Sequence, residues 1–199
     1  MRKQRKAKLQ RKTAETRISL NINLDGSGKA NVKTPLGFLN HMLTLFAKHG
    51  LFDVSLKAAG DTEVDMHHTN EDLGICLGQA LLKAWGTKAG IKRFGFASVP
   101  MDEALVEVSL DISGRPYVKL SAVSSLLCAK AQKYSLNYLK QFLQAMANNA
   151  GMTLHVEILY GEDLHHSIEA VFKALGRALK EALTIDPRIK GILSTKGRL

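Results

Sequence analysis

Nowhere in the 199 residues does an apolar run approach the ~20 residues that a membrane span needs. The opening stretch MRKQRKAKLQRK lacks the apolar core of a secretory signal, and it has neither the serine nor the long amphipathic extension of a transit peptide. These absences predict a cytoplasmic chain with no membrane partner. Cysteine is scarce: Cys76 and Cys128 stand in apolar surroundings without paired spacing, which predicts buried free thiols in a reducing compartment. Acidic side chains are missing from residues 1–12, where seven basic ones supply seven of the net +10 and leave +3 for the remainder. No aromatic or glycine-rich reading surface accompanies that basic run. Residues 1–8 therefore read as a solvated tail, with no nucleic-acid partner expected.

The rest of the composition, 45% apolar and 23% charged, is that of an ordinary globular chain long enough to bury one core. What the chain does have is an internal repeat. LNHMLTLFAKHG from Leu39 and LKQFLQAMANNAG from Leu139 align Met42 with Phe142, Leu43 with Leu143, Leu45 with Ala145 and Phe46 with Met146. Both read as amphipathic helices, and each runs into an alternating, strand-like segment, LFDVSLKAAGD or GMTLHVEILYG. A histidine doublet and a long helical stretch follow in each case. Upstream lie two hairpin-like segments, ETRISLNINLDGSGKANVKT with a turn at Asp25-Gly26, and EALVEVSLDISGRPYVKLSA with a turn at Ser113-Gly114. Each half thus reads β-β-α-β-α, the first over residues 9–95 and the second over 96–199, with the boundary near Phe94 to Val99. The expected architecture is α+β, the two halves forming one pseudo-symmetric domain with helices on one face of a sheet.

The doublets sit in VDMHHTNEDLG and GEDLHHSIEAV, both of the form Asp, apolar, His, His, two residues, Glu. Asp65 and Asp163 suit helix N-caps. Positions i and i+3 share a helix face, which pairs His68 with Glu71 and His166 with Glu169. His67 and His165 are rotated by about 100° from their neighbours and point elsewhere. The repeats are therefore expected to exchange ligands. His68, Glu71 and His165 would share one metal, with His41 as a natural fourth ligand. His166, Glu169 and His67 would share another, with Gln141 at the repeat position of His41. Three N/O ligands per ion with open positions suit a catalytic Mn, Fe or Zn site. Leu73, Leu77, Ala80 and Ala84 define the buried stripe of the first long helix. The ligands fall on its far side, so the sites are expected between subunits.

At this point the sequence resembles the imidazoleglycerol-phosphate dehydratase family, over essentially Thr13 to Leu199. The resemblance rests on ETRISLNINLDGSG, GFLNHML, KHGLFDV, GDTEVDMHHTNEDLGICLGQAL, PMDEALVEVSLDISGRPY, GMTLHVEILYGEDLHHSIEAVFKALGRAL and STKG. It implies a manganese-dependent hydro-lyase of histidine biosynthesis, folded as a duplicated unit like the second domain of ribosomal protein S5. It also implies a 24-subunit homo-oligomer built from trimers, with two Mn ions per subunit. By motif, His41, His68, Glu71 and His165 match one metal site. His67, His166 and Glu169 match the other, with Gln141 where the family has histidine. The implied substrate contacts are Glu15, His49, Arg93, Arg115, Lys173, Ser194, Thr195 and Lys196. Glu15 is the implied proton-transfer group, and the basic residues hold the phosphate. Departures fall at Asn40 (Asp in the family, beside His41), Asn70 (apolar), Asp163 (Asn) and Gln141. An amide oxygen is a weaker ligand than imidazole, so the rival expectation is a metal-binding, assembly-competent homologue with weak or no dehydratase activity.

Overall fold

The computed structural model describes residues 5–199. The first half comprises β1 (Lys6–Lys12), β2 (Thr16–Asn23), β3 (Ala30–Lys33), α1 (Gly37–Gly50), β4 (Asp53–Gly60) and α2 (His67–Trp85). The second comprises β5 (Phe94–Met101), β6 (Ala104–Asp111), β7 (Tyr117–Ser121), a small hairpin of β8 (Lys130–Ala131) and β9 (Tyr134–Ser135), then α3 (Leu136–Ala150), β10 (Thr153–Tyr160) and α4 (Leu164–Ala182).

The strands form two four-stranded sheets, ordered β1-β2-β4-β3 and β5-β6-β10-β7. In each, the strand after the first helix pairs antiparallel on one side and parallel on the other. Period-2 alternation sets which face is buried: Thr16, Ile18, Leu20 and Ile22 of β2 point inward, as do Ala104, Val106, Val108 and Leu110 of β6. α2 covers β1 and β2, α4 covers β5 and β6, and the helices of one half pack on those of the other, α1 on α4 and α2 on α3. The four helices therefore stand between the two sheets and close one continuous core.

The α+β class and the duplication are as the sequence led one to expect, but each half is β-β-β-α-β-α, one strand longer. The extra strands are the ones the composition hid. β1 occupies Lys6–Lys12, so the expected tail over residues 1–8 is strand from Lys6 on; its residues 1–4 lie outside the described ones. Ala7 is buried and Arg11 turns inward to Asp72, 2.8 Å away. The half-buried guanidinium is balanced by that buried carboxylate, which also accepts from the Thr16 hydroxyl. β5 runs through the segment read as the boundary, and Phe94 pairs with Asp111, so residues 94 and 95 belong to the second sheet.

Cys76 is buried, its thiol pushed up to about 12 by burial, whereas Cys128 is exposed, which corrects the expectation of two buried thiols. No helix among the described residues is long and apolar enough to cross a membrane.

Asn70, an amide where the resemblance implies an apolar residue, is completely buried in α2. It donates to the Tyr138 carbonyl at 2.9 Å and accepts from the Tyr134 hydroxyl at 2.8 Å. Tyr134→Phe leaves that amide oxygen unsatisfied in the core, and denaturant unfolding is expected to report a loss of about 1–3 kcal/mol. An unchanged midpoint would show that the hydrogen bond carries no net stability.

Candidate active site

The histidine doublets occupy the first turns of α2 and α4. Asp163 is the N-cap of α4, and its carboxylate accepts from the His165 amide at 2.6 Å. α2 starts differently. Met66 holds the cap position without a side-chain bond, and Asp65, one residue further out than expected, accepts the His67 amide at 3.2 Å.

From these starts the first histidine of each doublet, not the second, reaches its glutamate. His67 Nε2 lies 3.6 Å from Glu71 Oε2, and His165 Nε2 lies 3.4 Å from Glu169 Oε2. Residues four apart are offset by about 40° around the axis, those three apart by about 60°, so i,i+4 is the closer pairing here. This corrects the expected His68–Glu71 and His166–Glu169 pairs. His41 of α1 comes within 3.2 Å of the same Glu169 oxygen. His41, His165 and Glu169 thus converge in the groove between α1 and α4, where their ligand atoms all lie within 4.8 Å of one another. Relative to the expected sets, the two glutamates change places: Glu169 joins His41 and His165, and Glu71 joins His67.

Glu169 is 7% exposed, not on an open far face, because α1 covers it. Burial pushes its carboxyl pKa up, but Lys173 at 2.7 Å and His41 outweigh that and hold it below the usual range. His49, about two turns further along α1, is held below the usual imidazole range by burial first and then by Lys173 and Arg177. Two of the expected substrate contacts, His49 and Lys173, therefore adjoin the cluster. Arg177, which the sequence reading passed over, extends the Glu169–Lys173 spacing by another four residues.

The repeat places Gln141 on α3 where His41 stands on α1. The helix crossings confirm the equivalence: a Cβ on Gly176 would meet the Phe46 carbonyl, and one on Gly78 would meet that of Met146. Gln141 Oε1 is buried with no hydrogen-bond partner. Asn40 does not address His41. Its amide oxygen accepts from the Thr34 amide (3.1 Å) and hydroxyl (2.8 Å), and its NH2 donates to the Thr34 carbonyl at 2.9 Å. The amide ties down the loop before α1, and the donated bond is one that an ionised aspartate could not make.

The second histidines turn away from these clusters. His68 Nδ1 lies 2.9 Å from Asp61 and 3.8 Å from Glu15; His166 Nδ1 lies 2.7 Å from Glu103. Hydrogen bonding to the carboxylate raises each imidazole's pKa. Asp61 and Glu103 were not singled out from the sequence: Glu103 lies 63 residues from its histidine, and Asp61, seven residues before His68, lies outside the helix whose periodicity pointed to ligands.

The remaining expected contacts gather elsewhere. Arg93, Arg115, Ser194, Thr195 and Lys196 line a cleft of about 750 Å³, joined by Arg188, Lys190 and Arg198. Arg93 is largely committed within it: its guanidinium grips both Asp111 oxygens at 2.7 and 2.9 Å and donates to the Leu193 carbonyl at 2.9 Å, anchoring the C-terminal segment. The Arg115 side chain is 69% exposed, only loosely paired with Asp111 at 4.0 Å, and open to an anion. One chain therefore distributes the expected substrate contacts over three places: the α1–α4 groove, the Glu15–Asp61–His68 cluster and the basic cleft.

Comparison with known proteins gives a consistent result. The family model described as imidazoleglycerol-phosphate dehydratase matches residues 34–179. The chain is 56% identical over 195 residues to the imidazoleglycerol-phosphate dehydratase of Acetivibrio thermocellus, covering 98% of this chain and 99% of that one. It is likewise 56% identical to that of Bacillus subtilis, covering 98% of this chain and all of the relative. Among solved structures, the Pyrococcus furiosus enzyme in complex with (S)-C348 superposes with a TM-score of 0.82 at 39% identity, over 96% of this chain and 100% of that one. The Staphylococcus aureus enzyme gives 0.78 at 37%, over 91% and 99%.

Proposed function

The chain belongs to the imidazoleglycerol-phosphate dehydratase family, a family of hydro-lyases, and from that premise we propose that it dehydrates imidazoleglycerol phosphate in histidine biosynthesis, using bound manganese. The observation that carries the metal is the convergence of His41, His165 and Glu169. The Glu169 oxygen stands 3.2 and 3.4 Å from the two imidazole nitrogens. Ligand atoms about 2.1 Å from one ion stand about 3–3.4 Å from each other, so the three fit a single cation. By the repeat, His67 and Glu71, 3.6 Å apart, and Gln141 are the pseudo-symmetric counterpart. There the buried, unpartnered Gln141 oxygen is an acceptor that a cation would satisfy.

Dehydration here removes hydroxide from the carbon beside the imidazole ring and a proton from the next carbon. When bound, manganese would supply charge stabilisation to the imidazole ring, whose electrons expel that hydroxide. Glu15, with its side chain half exposed, is the group for moving the carbon-bound proton. Arg115, Ser194 and Lys196 present the donors for a phosphate. Because these groups lie in separate places on one chain, the working site is completed by neighbouring copies. His68 of one copy would join the His41 site of another, and His166 the His67 site. The assembly suggested by the family resemblance is a 24-mer of trimers, working in the cytoplasm.

The test is turnover of imidazoleglycerol phosphate by metal-stripped protein titrated with Mn. Activity rising to a plateau supports the reading; Mn binding without turnover would leave a metal-binding, assembly-competent homologue in its place. Within this reading, Arg115→Ala is expected to raise KM about 10- to 100-fold, the worth of a lost charged hydrogen bond, with metal content unchanged. Loss of metal from that variant would show the arginine to be misassigned.

A further inference from the structure

The two second histidines are held in one way from two different directions. Glu103 stands at the turn between β5 and β6 and touches His166 Nδ1 at 2.7 Å. Its repeat counterpart is Glu15, at the turn between β1 and β2, since ETRISL and EALVEV open β2 and β6 alike. Yet Glu15 is 3.8 Å from His68 Nδ1, and the close contact there, 2.9 Å, belongs to Asp61, which follows β4. Simple duplication would have repeated the same partner. A carboxylate on the same ring nitrogen, reached from non-equivalent positions, points instead to a requirement of the imidazole itself.

We propose that Glu103 and Asp61 are positioning residues that take the Nδ1 proton of His166 and His68, fixing the tautomer whose Nε2 lone pair is presented outward, at His166 beside the exposed Asp102 carboxylate 3.8 Å away, to a metal ion held by a neighbouring copy. This rests on the metal reading above and extends it to residues outside the ligand set. Neutral imidazole carries one proton, and a carboxylate can only accept, so an Nδ1–H bonded to it leaves Nε2 unprotonated. A metal ligand oriented by a carboxylate on its other nitrogen is tighter and better aimed. The arrangement also divides labour between the repeat-related glutamates. Glu103 is fully committed, its other oxygen accepting from the amides of Asp163 (2.8 Å) and Glu162 (3.2 Å). Asp61 performs that task in the first half and leaves Glu15 only loosely engaged, 3.8 Å from His68 Nδ1 and half exposed, available for proton transfer.

Glu103→Gln tests the inference with little change in shape. The amide oxygen is needed by the two backbone N–H groups, so the new NH2 faces Nδ1. The ring must then accept there and carry its proton on Nε2, where a metal should bind. Imidazole 15N spectra of the metal-free full chain, taken at about pH 9 so that the rings are neutral, are expected to show His166 changing tautomer. Mn affinity at one of the two sites is expected to fall about 10- to 100-fold. The thermal midpoint should stay near the wild type's, because the backbone bonds are kept. Asp61→Asn should do the same to His68 and to the other site, and it carries the test if Glu103→Gln fails to fold. Unchanged tautomers, or Mn binding unaffected in both variants, would overturn the proposal. Wild-type turnover is read separately: a tautomer change in a protein that never turns over substrate would sink the dehydratase reading and leave the positioning role standing.

Discussion

Glu169→Gln is expected to strip the metal from the His41–His165 site and to lower kcat/KM about a thousandfold or more, roughly 4 kcal/mol of transition-state stabilisation. The carboxylate is the centre of that cluster, contacting both imidazoles through one oxygen and Lys173 through the other. A glutamine keeps the shape but removes the charge and puts an amide NH2 against one of those partners. His41→Ala and His165→Ala should empty the same site, although the two residues are far apart in the chain and lie on different helices. Glu71→Gln should deplete the other ion instead. Metal content per chain, measured for each variant, decides the grouping. If His165→Ala and Glu71→Gln depleted one ion while Glu169→Gln depleted the other, the i,i+3 pairing would be right and the grouping by the α1–α4 groove wrong. Gln141→His, placing imidazole where α1 has His41, is expected to tighten Mn binding at the His67–Glu71 site.

The second large effect is on folding. Gly176→Val is expected to cost about 3 kcal/mol or more, read as a fall in the urea midpoint, and Gly78→Val a similar amount. A Cβ at Gly176 would lie 2.5 Å from the Phe46 carbonyl oxygen and 3.0 Å from the Gly50 nitrogen, so helix backbones and not flexible side chains would have to part. Overpacking of that kind cannot relax by a rotamer change. Gly37, at the start of α1 with nothing within 4 Å, is the control, and Gly37→Ala is expected to be neutral or slightly stabilising. If Gly176→Val were tolerated as well as the control, α1 and α4 would not be in backbone contact. The His41–Glu169 cluster, built across the same crossing, would lose its frame.

Helix periodicity, the duplication and the two doublets could all be read from the chain because each is a local pattern repeated at a fixed interval. The apolar stripe of Leu73, Leu77, Ala80 and Ala84 is buried as its spacing requires. The family resemblance, carried by the same motifs, fixed the candidate ligands and the basic residues that the cleft brings together. The strands that escaped notice, β1 and β5, did so because their signal is weak one strand at a time. Lys6, Lys8 and Lys12 face outward and leave only Ala7, Leu9 and Arg11 facing inward, and Phe94 and Phe96 face solvent.

Partnership was decided elsewhere. Whether a histidine on a helix turns to the residue three or four along depends on what the next helix supplies, and here α1 supplies His41 to Glu169. Asp61 and Glu103 reach their imidazoles from loops, and Asn40 turned out to serve Thr34 instead of its neighbour His41. Periodicity specifies which face of an element a side chain occupies. The atom it meets is specified only when sheets, helices and loops distant in sequence are packed at close range, and the chemistry of this site depends on those atoms.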